Sequence, residues 1–169
     1  MTLHRALVLA DGAAPTRAGL DVAWPGWADG IDLVVAADGG ARLAAGLGLG
    51  IDAWVGDGDS LGAPALEELR RAGVPIHLAA TDKDASDAEL GLLAAIRAGA
   101  RDVTILGALG GPRLDHALAN IQLLAHPAAA DVTVRLLAPD SRVRLVTAPG
   151  PAGGPVTSCR SCRSAMPPA

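Results

Sequence analysis

The sequence predicts a three-layer, Rossmann-like α/β fold around a parallel sheet. Two observations carry that reading. Short apolar runs of strand length alternate with amphipathic stretches of helical spacing along the chain. Most of the apolar runs end in Gly-rich, often acidic turns, as expected where strands leave an open sheet beside a ligand crevice.

Taken in order, Arg5–Ala10 reads as a buried strand ending in Asp11-Gly12. Residues 13–30 hold Pro15, Pro25 and three glycines and read as a loop with at most a poor helix. Ile31–Ala37 is a second buried strand, followed by a short helix over Ala41–Gly46. Ala53–Val55 forms the core of a third strand. Pro64–Ala72 is a helix with Gly73 suited to its C-terminal cap. Pro75–Ala79 is the fourth strand. The next helix starts around Asp84 to Ser86 and runs to about Ala98, with Leu90, Leu93, Ala94 and Arg97 on one face. Val103–Leu106, a Gly-rich loop at Gly107–Pro112, a helix at Leu114–Ala125 and a strand at Val132–Leu137 complete the pattern.

Length and composition bound the function. The chain of 169 residues suits one domain or one and a fraction, and half of it is hydrophobic. Phe and Tyr are absent and the formal charge is −4. Only Trp24, Trp27 and Trp54 could stack on bases, and the sequence has no basic cluster, which argues against a nucleic-acid partner. The apolar run at Ala6 to Ala10 is too short for a signal peptide or a membrane span, so a cytoplasmic protein is expected.

The chemistry concentrates in residues 34–60. Asp57 and Asp59 stand two apart in Gly56-Asp57-Gly58-Asp59-Ser60. An extended backbone would point both carboxylates the same way, where they repel unless a cation or proton sits between them. Hard divalent cations take oxygen ligands, and Mg²⁺ commonly combines one or two carboxylates with substrate phosphates. The stretch therefore points to a Mg²⁺–nucleotide site. An EF-hand is the rival: Asp57, Asp59, Gly62 and Glu68 fall at its positions 1, 3, 6 and 12. Leu61, however, occupies position 5, and the preceding Ala-Trp-Val is strand-like rather than helical. Asp38-Gly39-Gly40 reads on its own as a strand-ending turn. Asp84 and Asp87 suit the first turn of a helix through its dipole. Gly107–Asn120 lacks the Lys-Ser/Thr ending of a P-loop, yet Gly110, Gly111 and Arg113 could hold phosphate oxygens. Asp115 then reads, on its own, as an N-cap. Cys159 and Cys162 form one CxxC, with neither the second pair a structural zinc needs nor a thioredoxin-like context.

Four segments in this order resemble thiamine pyrophosphokinases: Ala37–Ala41 (ADGGA), Gly56–Ser60 (GDGDS), Lys83–Asp87 (KDASD) and Gly110–Asn120 (GGPRLDHALAN). The resemblance covers about residues 6–146. It implies pyrophosphoryl transfer from ATP to thiamine, giving thiamine diphosphate and AMP. By resemblance, Asp57, Asp59 and Asp87 hold Mg²⁺, and Arg113 and Lys83 are cationic supports. Asp38, Gly39, Gly40, Gly110 and Gly111 form the backbone cradles, Ser86 lies near the phosphates beside Asp84, and Asp115 contacts substrate with His116 and Asn120 supporting its loop. Serine at 86 and glycine at 58 depart from the family's usual threonine and bulkier residue. A pyrophosphokinase acting on a hydroxymethyl-pterin, and an inactive or binding-only fragment, are the alternatives.

The same resemblance implies a homodimer and a C-terminal β-domain that helps form the thiamine pocket. The chain divides on this reading into residues 1–138, the nucleotide-binding α/β domain, and 139–169, the start of a largely missing β-domain. An unpaired strand near Arg142–Val146 is expected as an aggregation liability. After about Pro155 the composition changes abruptly to SCRSCRSAMPPA. Under GC-rich codon choices a shifted frame from Val156 spells G-D-L-V-S-L-L-P-L-G-D-A-A-G, whose VSLLPL resembles a β-domain strand. The tail is therefore expected to be a frameshift product.

Overall fold

The computed structural model describes residues 5–79, 85–111 and 113–146. Lys83, Asp84, the CxxC and the tail after Pro155 lie outside the described residues. One seven-stranded sheet carries the fold, in the order β4-β3-β2-β1-β5-β6-β7. The strands are β1 Arg5–Leu9, β2 Leu33–Ala37, β3 Ala53–Gly56, β4 Ile76–Leu78, β5 Asp102–Leu106, β6 Thr133–Ala138 and β7 Ser141–Arg144. The first six pair in parallel, and β7 pairs antiparallel with β6.

Among the described residues, five α-helices accompany them: α1 Arg17–Ala23, α2 Ala41–Leu47, α3 Ala63–Arg71, α4 Asp87–Arg97 and α5 Leu114–Gln122. Side chains alternate across each strand, and that alternation sorts the helices into two layers. Val8, Val35 and Val55 pack with Ala88, Leu92 and Ala95 of α4 on one face. On the other, Leu7, Leu9 and Val34 meet Leu20 of α1 and Leu43 and Leu47 of α2. Ala36 and Trp54 pack there with Leu66 of α3. Across β5 and β6, Arg135 Nη2 donates to Asp102 Oδ2 at 2.8 Å and Nη1 to Thr104 Oγ1 at 3.1 Å. Nη1 also lies 2.7 Å from Asp102 Oδ1, an ion contact without hydrogen-bond alignment.

Two sequence expectations change. Residues 17–23 form a helix despite the surrounding Pro and Gly, because Thr16 caps it, accepting from Gly19 N at 3.1 Å, and Leu20 is fully buried. Tertiary burial outweighs the weak local signal. The segment expected to be an unpaired strand is instead hydrogen-bonded to β6, in register Leu136–Val143, as the last strand of the same sheet. Among the described residues, no helix is long and apolar enough to cross a membrane.

The strand order places the ligand crevice. From β1 the chain steps outward to β4, then returns to lay β5 on the opposite side of β1. The topological switch point therefore lies between β1 and β5.

Candidate active site at the carboxyl edge of the sheet

Three carboxylates gather where β2 and β3 end. Asp38, Asp57 and Asp59 each bring an oxygen within 4.8 Å of the others. Asp38 follows β2 directly, is 1% exposed and has φ of +43°, a left-handed conformation that Asp tolerates better than most residues. Its carboxylate accepts from Ser60 N at 3.2 Å and Leu61 N at 3.3 Å. Its carbonyl accepts from Trp54 Nε1 at 3.0 Å. Asp57 Oδ1 accepts from Asp59 N at 3.2 Å and Asp59 Oδ1 from Ser60 Oγ at 3.1 Å. The loop thus wraps around Asp38, with the fully buried indole beneath it. Two ionised carboxylates at this separation repel by roughly 3 kcal/mol at an effective dielectric near 20, less where Asp59 meets water. An oxygen-only set of this kind fits Mg²⁺ or another hard divalent cation.

Beside the cluster, at the switch point, lies a cavity of about 490 Å³. The β1 and β5 turns form its base at backbone contact: Gly12 N donates to Gly107 O at 2.8 Å. A Cβ at Gly12 would sit 2.1 Å from that oxygen, and one at Gly107 would sit 2.3 Å from Ala10 O. Asp11 and Ser60 line one side, and Ser86 and Asp87 at the start of α4 another. Ser86 caps α4, accepting from Glu89 N at 3.2 Å, so the positive end of the helix dipole faces the cavity. Gly110, Gly111 and Arg113 close the far side with His116 and Asn120 of α5. Asn120 Nδ2 donates to Ala108 O at 2.9 Å and ties α5 to the β5 turn. Arg113 Nε donates to Asp115 Oδ1 at 3.2 Å. That hydrogen bond holds the Asp115 carboxyl below, and the Arg113 guanidinium above, its ordinary range.

The residues singled out from sequence thus divide. Asp57 and Asp59 stand together, and the third carboxylate in contact range is Asp38. Asp87 lies outside that cluster and lines the cavity. Ser86, Gly110, Gly111 and Arg113 line the cavity as well. Gly39 and Gly40, expected to cradle phosphate, are buried against protein: a Cβ at Gly40 would lie 1.9 Å from Leu9 O. Gly40 lets the turn pack onto the end of β1, and Gly39 leaves room for the Asp11 and Arg42 side chains. Three groups were not found from the sequence: the carboxylate of Asp38, the cavity-lining Asp11, and Arg42, whose Nη2 donates to Asp11 Oδ1 at 3.2 Å and Nη1 to Ser60 O at 2.8 Å. Asp11 carried a usable signal, since Asp11-Gly12 ends β1 as Asp38-Gly39 ends β2. Arg42, one of fourteen basic residues, carried none.

Comparison with known proteins agrees with this architecture. The family "Thiamin pyrophosphokinase, catalytic domain" matches residues 27–136. A curated relative, thiamine pyrophosphokinase of Bacillus subtilis, is 30% identical over 90 residues, which is 53% of this chain and 42% of that protein. The crystal structure of the Bacillus subtilis enzyme superposes with a TM-score of 0.63 at 27% identity, covering 79% of this chain and 60% of the other. A thiamin pyrophosphokinase family protein from Enterococcus faecalis gives 0.60 at 30% identity, covering 79% and 61%. The Candida albicans thiamin pyrophosphokinase, at 17% identity and a TM-score of 0.58, shares the fold over 80% of this chain and 58% of its own. The chain therefore spans well under two thirds of the length of these relatives. With the family match extending over most of its sheet, the chain belongs to the thiamin pyrophosphokinase catalytic-domain family.

Proposed function

We propose that the site transfers the pyrophosphoryl group of ATP to the hydroxyl of thiamine, releasing AMP. The observation that carries this reading is the pairing of a three-carboxylate cluster with a cavity at the β1/β5 switch point. In this reading Asp38, Asp57 and Asp59 hold Mg²⁺, and Asp87 faces the same ligand from the start of α4. When bound, Mg²⁺ neutralises charge on the phosphate oxygens of the donor. The chain's own groups then bind and align. Backbone N–H groups at Gly110 and Gly111, the α4 N-terminus with Ser86, and the Arg113 guanidinium receive the remaining phosphate charge. Lys83 and Asp84, outside the described residues, keep only the phosphate-side role that the family resemblance implies. The thiamine hydroxyl oxygen forms a bond to the β-phosphorus as the bond from that phosphorus to the AMP oxygen breaks, and the hydroxyl proton passes to solvent water. Such transfer depends chiefly on positioning and electrostatic stabilisation.

For the complete protein the reading carries a cytoplasmic homodimer, with thiamine contacts supplied partly by a β-domain. The test is AMP formation from ATP followed by chromatography, with thiamine and Mg²⁺ added singly and together. AMP appearing only when both are present is the expected result. Mg²⁺-dependent ATP binding without turnover would mark a nucleotide-binding module instead, and failure to bind Mg²⁺ and ATP would overturn the reading.

A further inference from the structure

We propose that Arg42 is a positioning residue for the cation site, a brace that fixes where Asp59 stands. The proposal rests on the cation reading of the acidic cluster given above. Arg42 lies in the first turn of α2, and its guanidinium spans two turns of the sheet edge. Nη2 donates to Asp11 Oδ1 at 3.2 Å and Oδ2 at 3.1 Å, while Nη1 donates to Ser60 O at 2.8 Å. Asp11 belongs to the turn after β1 and Ser60 to the acidic loop after β3, and both line the cavity.

Ser60 is thereby gripped on both sides of its backbone. Its N–H goes to the Asp38 carboxylate and its C=O to Arg42, and its hydroxyl donates to Asp59 Oδ1. Asp59 immediately precedes this clamped residue and donates its own N–H to Asp57 Oδ1 at 3.2 Å, so holding Ser60 helps fix where its carboxylate meets Asp38 and Asp57. A second observation points the same way. Gly39 has an ordinary backbone conformation, yet a Cβ there would lie 2.2 Å from Asp11 Oδ2 and 2.6 Å from Arg42 Nη2. The absent side chain leaves room for the ion pair.

The energetics separate this role from a structural one. The Arg42 and Asp11 side chains are 55% and 42% exposed, and a pair that open to water adds little to global stability. Electrostatics and positioning also predict opposite signs for cation affinity. Replacing Arg42 by Met removes a positive charge and leaves Asp11 unpaired, which on charge alone would tighten cation binding. Loosening Ser60 and Asp59 would weaken it.

The test measures Mn²⁺ binding, by the electron paramagnetic resonance signal of free Mn²⁺, to the whole chain without nucleotide. Arg42→Met and Asp11→Asn should each weaken binding about tenfold or more, the usual effect of losing a partner that orients a ligand. Thermal midpoints should stay within a few degrees of wild type. Arg42→Lys, which keeps the charge but loses the fork, should recover part of the affinity. Unchanged or tighter Mn²⁺ binding in Arg42→Met would overturn the brace. Should the wild-type chain bind no Mn²⁺, or Asp59→Asn bind it as well as wild type, the cation reading itself falls and the brace with it.

Discussion

Replacing Trp54 by Phe tests whether the acidic turn is built on the indole beneath it. Trp54 is fully buried, packs with Ala36 and Leu66, and donates its ring N–H to Asp38 O at 3.0 Å. The Phe variant loses three things. The Asp38 carbonyl keeps the Ala41 N–H as a partner, and losing the indole bond costs about 1 kcal/mol, the low end for a buried polar group still partly satisfied. The smaller ring leaves a void on the order of 40 Å³, which at about 24 cal/mol per Å³ adds about 1 kcal/mol. Roughly one more kcal/mol of apolar transfer is lost with the missing ring atoms. The sum is about 3 kcal/mol, equivalent to a fall of roughly 6–12 °C in thermal midpoint for a chain of this size. Circular dichroism is the assay, because the substitution removes a fluorophore. A Phe variant melting within about 2 °C of wild type, less than 1 kcal/mol by the same conversion, would show that the turn does not rest on this bond.

Gly40→Ala should destabilise by more than about 3 kcal/mol, since the clash is with β1 backbone and not with a movable side chain; urea unfolding that matches wild type would refute it. Asp57→Asn and Asp59→Asn should each abolish Mg²⁺-dependent ATP binding while preserving the far-ultraviolet spectrum, read by calorimetric titration with and without Mg²⁺. The Asp115 carboxyl should remain ionised to lower pH than an ordinary carboxylate, because Arg113 stabilises its charged form. Carbon-13 NMR titration should show its midpoint rising in Arg113→Gln. The interaction favours the ionised pair above that midpoint and is lost as pH falls through it. The pair is fully exposed, so NMR and not stability is the readout.

The α/β sheet was readable because its signals are local. The inner parallel strands β1, β2 and β5 are buried on both faces and appear as short apolar runs, such as Ala6–Leu9 or Val34–Ala37. Helix α4 announces itself through its Ser86 cap, but the face it buries is Ala88, Gly91, Leu92 and Ala95 and not the expected Leu90, Leu93, Ala94 and Arg97. Helix α1 did not, since what holds Leu20 in place is Leu7, Val34 and Leu47, all distant in sequence. Pairing of β7 with β6 was missed for a related reason. Ser141–Arg144 places its polar residues and Val143 in a pattern that suits an edge strand of any sheet, and only the register shows which one.

The site divides along the same line. Asp57 and Asp59 could be paired from sequence because a spacing of two is itself a geometric statement about an extended turn. The third carboxylate depends on where β2 ends relative to β3, and those strands are joined through α2. Their register sets Ala37 beside Val55, which brings the residue after β2 next to the loop after β3. Asp38 therefore meets Asp57 and Asp59 as a consequence of strand pairing, whereas Asp87 enters from α4, on the opposite layer of the sheet. A turn alone would favour Gly at φ of +43°, since Asp there carries about 1 kcal/mol of strain. What offsets that strain is the carboxylate, which accepts two backbone N–H groups of the very loop that carries the other two acids. Local structure and ligand chemistry thus depend on one side chain, and a sequence pattern that explains either role alone leaves the other out of sight.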